Sequence, residues 1–266
     1  MIQKASAYDT SLLYDIRHKG ALILKKAVLA VFAAAIITVI FIVPLFKSSR
    51  YKPQEPDPQQ ETSVSGQAEN IIDVPLICQY PALPSGCESV SAAMVLRYYG
   101  ADITAEEFAS SYLTCSELYS ADGRLFGPDP DMAFAGSPFS ESYSYGCFAP
   151  VIVNAVNRIG LAYCAAEITG ASLSELCAEY IDSGKPLLIW ATMDMREPEA
   201  GRSWYLPDGT EFTWTAGEHC LVLVGYDEYS YFLNDPRSGG LVRYPKKLVE
   251  RRFSQLGSQA VYICKK

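Results

Sequence analysis

The chain of 266 residues divides into three regimes of hydrophobic patterning. Between Ala27 and Phe46 lie 20 residues without a charge, the length a helix needs to cross the hydrocarbon core of a bilayer. From Lys47 to Asn70 the sequence is polar and rich in Pro, Gln and Glu. It carries too few large apolar side chains to bury a core, which predicts a flexible tether. From Ile71 to Lys266 short apolar runs alternate with turn residues, without a second linker or an internal repeat. This predicts one folded domain.

Within that domain the first half has mainly helical spacing and the second mainly strand-like runs, the pattern of an α+β fold rather than of alternating βαβ units. Ser85 with Glu88, Thr104 with Glu107 and Ser172 with Glu175 each match the S/T-x-x-E capping box, and Gly100 and Gly184 stand where helices should stop. Pro150 opens a further helix that ends near Gly160. In the first helix, Val90, Ala93, Met94 and Tyr98 form an apolar stripe at helical spacing, the signature of a core-packed element. Strands are expected at Ile71 to Ile77, Leu161 to Ile168, Pro186 to Thr192, His219 to Tyr226, Ser230 to Asn234, Leu241 to Tyr244 and Ala260 to Cys264. A hairpin is expected from Trp204 to Trp214 around Asp208-Gly209.

Charge refines the organisation. Ahead of the apolar stretch, Lys4, Arg17, Lys19, Lys25 and Lys26 outweigh Asp9 and Asp15, giving 5 − 2 = +3. The positive-inside rule therefore keeps residues 1–26 cytoplasmic, residues 27–46 in the membrane and the domain outside the cell membrane. A cleaved signal peptide is the competing reading, but the stretch is long for one and no small-x-small site follows it. The net charge of −8 and the pI of 4.9 exclude a nucleic-acid partner, which would need a basic face.

The chemistry-bearing residues occur in a particular order. Cys87 follows a helix-opening signal, His219 is the only histidine outside the N-terminal segment, and Asp235 follows a strand-like run. A thiol becomes a strong nucleophile when an imidazole takes its proton and a third polar group holds the imidazole in place. With Ser85 as N-cap, Cys87 would sit in the first helical turn, where the helix dipole should lower its pKa. Each residue also has a plain reading: a core thiol, a histidine at a strand start, and a turn aspartate in Asn-Asp-Pro.

The segments QYPALPSGCESVSAAMVLRYYG, EHCLVLVGYD and YFLNDP resemble the family-39 cysteine peptidases, in their stand-alone peptidase-like branch, over nearly all of residues 71–266. The resemblance implies a papain-like fold, with a helix carrying the nucleophile packed on an antiparallel sheet carrying the histidine and aspartate. It implies Cys87 as nucleophile, His219 as general base, Asp235 as its orienting partner and Gln79 as an oxyanion donor beside the Cys87 N–H. The substrate would be a peptide or protein. Gly86 stands where the transporter-linked branch usually has an acidic residue, which speaks against the double-glycine leader specificity of that branch. No G-x-x-x-x-G-K-[ST] motif is present, so export would need a separate transporter.

The same triad would also serve a cell-wall amidase or a transglutaminase-like acyl transferase, and a catalytically silent binding module would keep the fold without turnover. No cofactor is expected. A zinc site and a dithiol redox site are not expected either, because no C-x-x-C pair occurs. The outward location permits disulfides, and Cys115 with Cys147 brackets a Gly-, Pro- and Tyr-rich stretch that such a bond would staple. That stretch and Met193 to Trp214 are expected to wall a substrate cleft or to cover the core as a lid.

Overall fold

The computed structural model describes residues 71–266. The expected cytoplasmic segment 1–26, transmembrane helix 27–46 and tether 47–70 lie outside the described residues. Among those described, no helix is long and apolar enough to cross a membrane.

Helices α1 (Cys87–Tyr98) and α2 (Ala105–Ser111) come first. Four short strands follow, β1 (Cys115–Ser116), β2 (Tyr119–Ala121), β3 (Arg124–Phe126) and β4 (Phe134–Ala135). Next come α3 (Ala149–Arg158), β5 (Tyr163–Glu167), α4 (Leu173–Glu179), β6 (Leu187–Thr192), β7 (Glu199–Tyr205) and β8 (Glu211–Ala216). The chain continues through β9 (Glu218–Tyr226), β10 (Ser230–Asp235), β11 (Gly240–Pro245), α5 (Lys246–Gln255) and β12 (Ala260–Lys265).

Six strands form one antiparallel sheet in the order β11-β10-β9-β6-β12-β5. Alternate positions along a strand face opposite sides, and here both sides are covered. Leu188, Trp190, Cys220, Val222, Val224 and Phe232 pack with α1 and α3, whereas Leu187, Ile189, Leu221, Leu223, Tyr231 and Leu233 pack with α4 and α5. Two-sided burial explains why β6 and β9 read as continuous apolar runs rather than as alternating ones. Each fully buried aliphatic side chain contributes on the order of 2 kcal/mol. A second sheet, β2-β3-β7-β8, contains the expected hairpin and carries a small aromatic core of Trp204 and Trp214.

Two expected caps form. The Thr104 side chain accepts from the Glu107 N–H, and Ser172 with Glu175 makes a reciprocal capping box. The third does not. Gly86 is the N-cap of α1 with no side-chain cap bond, and the Ser85 hydroxyl instead donates to the Ser140 carbonyl. The segment Ile71 to Ile77 makes no strand. Its Ile72 N–H reaches Val224 O, and Asn234 Nδ2 donates to Val74 O, but no ladder develops. The expected Cys115–Cys147 staple is absent because the two face different environments. Cys147 is buried in the core and Cys115 is exposed, and both are free thiols. The disulfide present joins Cys164 to Cys264, directly opposite each other on β5 and β12.

Candidate active site

The candidate residues collect at one end of the main sheet. α1 packs against β9, with the Ser91 hydroxyl donating to the Cys220 carbonyl, so the start of α1 lies beside the start of β9. The end of β10 lies alongside, because β9 and β10 are antiparallel neighbours. The Gln79 loop is tied to the residue after Asp235 by its N–H, which donates to Pro236 O at 2.8 Å. Tertiary structure thus gathers four positions spread over 157 residues (235 − 79 + 1).

His219 and Asp235 are joined directly. Nε2 of His219 lies 2.7 Å from Oδ1 of Asp235, with both residues buried. Burial works against the Asp235 carboxylate. The histidine contact and the Arg237 N–H more than offset it and hold its pKa below the usual value. A carboxylate only accepts, so Nε2 carries the proton and Nδ1 carries the lone pair. Among the described residues, the buried Nδ1 has no hydrogen-bond partner.

Cys87 lies in the first turn of its helix, as expected, but one position nearer the start. It is the first residue of α1, and its thiol donates to Glu88 Oε2 at 3.3 Å. Among the described residues no hydrogen bond joins it to His219. Its pKa is raised well above the ordinary thiol value, first by burial and then by the charges of Glu88 and Glu218. The expected fall is therefore overturned by magnitude: a helix start stabilises a charge by about 0.3–1 kcal/mol, under one pKa unit, whereas full burial shifts a group by up to about 3–5 units.

Gln79 is buried. Its Nε2 donates to Pro84 O at 2.7 Å, and its Oε1 has no partner. The amide carries two donor hydrogens, and this contact uses one of them.

Two residues missed in the sequence dominate the electrostatics, Glu88 and Glu218. Glu88 is fully buried and accepts the Cys147 N–H on Oε1 at 2.7 Å. Burial pushes its carboxyl up to about 7. Glu218 is 3% exposed, its Oε1 has no partner, and burial followed by the charge of Glu88 pushes its pKa up as well. The sulfur of Cys87 and one carboxylate oxygen each of Glu88 and Glu218 lie within 4.8 Å of one another. Gly146 lets the backbone approach this cluster, since a Cβ there would stand 2.5 Å from Glu88 Oε1 and 3.0 Å from Glu218 Oε2. The sequence did hold one signal: Glu218 heads a strand that is otherwise apolar and buried.

Residues 71–261 match the model of the peptidase C39-like family. An uncharacterized protein of Bacillus subtilis (strain 168), YvpB, is 31% identical over 189 residues, covering 70% of this chain and 71% of that protein. A crystal structure from Bacillus anthracis described as a C39-like peptidase superposes with a TM-score of 0.66 at 28% identity, covering 75% of this chain and 99% of that one. A double glycine motif protease from an AMS/PCAT transporter, solved with its leader peptide, aligns at 18% identity with a TM-score of 0.44, covering 75% of this chain and 100% of that one.

Proposed function

Because the chain belongs to the peptidase C39-like family, we propose that it is a cysteine peptidase whose nucleophile is Cys87, whose general base is His219 and whose base-orienting residue is Asp235. The observation that carries this reading is the state of His219: Nε2 is fixed by Asp235 and Nδ1 is buried with nothing bonded to it. A buried acceptor without a partner costs about 1–3 kcal/mol, and a thiol proton is the group this geometry lacks.

The resting thiol points to Glu88, so the first step is rotation of the Cys87 side chain toward Nδ1. Nδ1 then takes the thiol proton, and the thiolate attacks the substrate's carbonyl carbon. The oxyanion is held by the Cys87 N–H, in a helix start that no side chain caps, and by the remaining hydrogen of the Gln79 amide. The imidazolium gives its proton to the leaving amine, and water hydrolyses the thioester. The segment expected at Ala27 to Phe46 would tether this chemistry to the outer face of a membrane, and a separate transporter would be a source of peptide.

That no hydrogen bond joins Cys87 to His219 among the described residues favours one alternative, a binding module with an inert thiol. Alkylation of each cysteine, mapped by mass spectrometry from pH 4 to 9 in the wild type and in His219→Ala, separates the two, together with cleavage of a peptide library. The peptidase reading expects Cys87 to label selectively in a manner that His219→Ala abolishes, and cleavage that Cys87→Ala abolishes. Cys87 labelling like an ordinary buried thiol in both proteins, with no peptide cut, would overturn it. Release of peptide cross-links or amine transfer in place of hydrolysis would identify an amidase or an acyl transferase.

A further inference from the structure

Glu218 is a buried acid that stands beside a second one, Glu88. Among the described residues its Oε1 meets no hydrogen-bond donor although the residue is only 3% exposed, and leaving such a group unsatisfied is costly. Its carboxylate is aimed at the Cys87 sulfur and the Glu88 carboxylate, all within 4.8 Å. One sulfur and two carboxylate oxygens make a donor set for a cation. Hard cations such as Mg2+ and Ca2+ take oxygen alone, whereas a thiolate selects a softer ion of the zinc class.

We propose that Cys87, Glu88 and Glu218 bind a thiophilic divalent cation of the zinc class, which holds the peptidase latent by taking the nucleophile as a ligand. The latency half of this inference rests on Cys87 being the nucleophile; the binding half does not. Tetrahedral zinc with bonds of about 2.3 Å to sulfur and 2.1 Å to oxygen brings its donors to about 3.4–3.6 Å apart. The Cys87 to Glu88 separation of 3.3 Å is already near that, and the other donor pairs, all within 4.8 Å, have to close by at most about 1.4 Å. A water takes the fourth position. On binding, the metal–sulfur bond replaces the S–H bond and the thiol proton leaves to solvent, as does any proton shared by the two carboxyls. No electron is transferred.

The absence of C-x-x-C argued against zinc in the sequence. That reasoning covers Cys/His sites; here two donors are carboxylates, and one arrives from a strand 131 residues after Cys87 (218 − 87).

The test starts from the purified full chain, stripped with a chelator and dialysed, then titrated with Co2+ and Zn2+. One equivalent of Co2+ should produce a thiolate-to-metal charge-transfer band in the near ultraviolet. Cys87→Ser should lose the band, and Glu218→Gln should weaken binding at least tenfold. Stoichiometric Zn2+ should protect Cys87 from alkylation and suppress peptide cleavage, with activity restored by chelator. The Zn2+ concentration for half-inhibition, taken relative to each protein's own rate, should rise at least tenfold in Glu218→Gln. Glu88→Gln serves as the second variant if Glu218→Gln does not fold.

The absence of a charge-transfer band in the wild type would overturn the site and leave the carboxyls sharing a proton. Equal Co2+ affinity in wild type and both Glu variants would overturn it too, by placing the metal on Cys87 and other groups. A band lost in Cys87→Ser and weakened in Glu218→Gln, in a protein with no cleavage activity at all, would uphold the site, overturn the latency half and sink the peptidase reading alone.

Discussion

Pairing two acids in the core has a consequence for stability that can be worked through. Burial raises Glu88 from 4.5 to about 7, and Glu218 is raised in the same direction. Between these values the folded chain holds a proton that the unfolded chain has released. Stability is therefore lost as pH rises through this window, and the loss is complete above the folded pKa. For Glu88 alone, (7 − 4.5) at about 1.4 kcal/mol per unit gives a fall of about 3 kcal/mol between pH 4.5 and pH 8. The three neighbouring buried thiols, Cys87, Cys147 and Cys220, are raised and stay neutral here.

The assay is urea unfolding at pH 5, 6, 7 and 8 with a chelator present. The control is the double variant Glu88→Gln, Glu218→Gln, which keeps His219 and Asp235. Over pH 5 to 8 the Glu88 part of the fall is about 2.5 kcal/mol, so with a urea slope of about 2 kcal/mol per molar the wild-type midpoint should drop by about 1.2 M, and the double variant should show little of that drop. A wild-type midpoint that holds constant, or a double variant that falls in parallel, would refute the claim that these carboxyls are protonated in the core.

Further expectations concern separate parts of the molecule. The Cys164–Cys264 bond closes a separation of 100 residues, so Cys264→Ser should cost up to about 4.7 kcal/mol in the same unfolding assay; a loss below about 1 kcal/mol would show that the bond constrains little. Asp235→Asn would deprive His219 of its anionic partner at Nε2 and should lower kcat by about 10²–10⁴ with little change in KM. Gly146→Ala puts a methyl against both carboxyls and should destabilise by about 1–3 kcal/mol, read as a lowered Tm. In the native protein, exposed Cys115 should alkylate faster than buried Cys147, although burial and the charges of Glu88 and Glu117 push its thiol up to about 11 and slow it; Cys147 should resist until denaturant is added, and equal labelling would contradict the burial of Cys147.

The parts of the fold legible in the sequence were those with strong local signals. The apolar runs of β6, β9, β10 and β12 and the capping box at Ser172 mark their elements without help from the rest of the chain. α5 escaped notice because its sequence, KKLVERRFSQ, is mostly charged and its N-cap, Pro245, makes no side-chain cap bond. Val249 and Phe253, four apart, mark its buried side, with Leu248 partly buried beside them. Ser85 looked like a cap, but Gly86 is wedged where a Cβ would lie 2.8 Å from Leu83 Cβ, and this close packing places the helix start one residue later. In the candidate site, the pairing of His219 with Asp235 matches the order and spacing of the motifs. The burial of Glu88 was illegible, because an acid at a helix start ordinarily faces water, and that of Glu218 had only the apolar run after it as a signal; the closing of α1 onto β9 encloses both.

The position of β12 has a bearing on how the molecule comes into being. It is the last strand in chain order, yet it lies between β6 and β5 inside the main sheet. Until residues 260–265 have left the ribosome, and the membrane channel if the domain is secreted, β5 has no partner and β6 has an open edge. The nascent domain must therefore wait, with its strands exposed, for almost its whole length to be delivered. Completion of the sheet is therefore a late event, and the interval before it is the period in which the open edge of β6 and the unpaired β5 most need protection from aggregation.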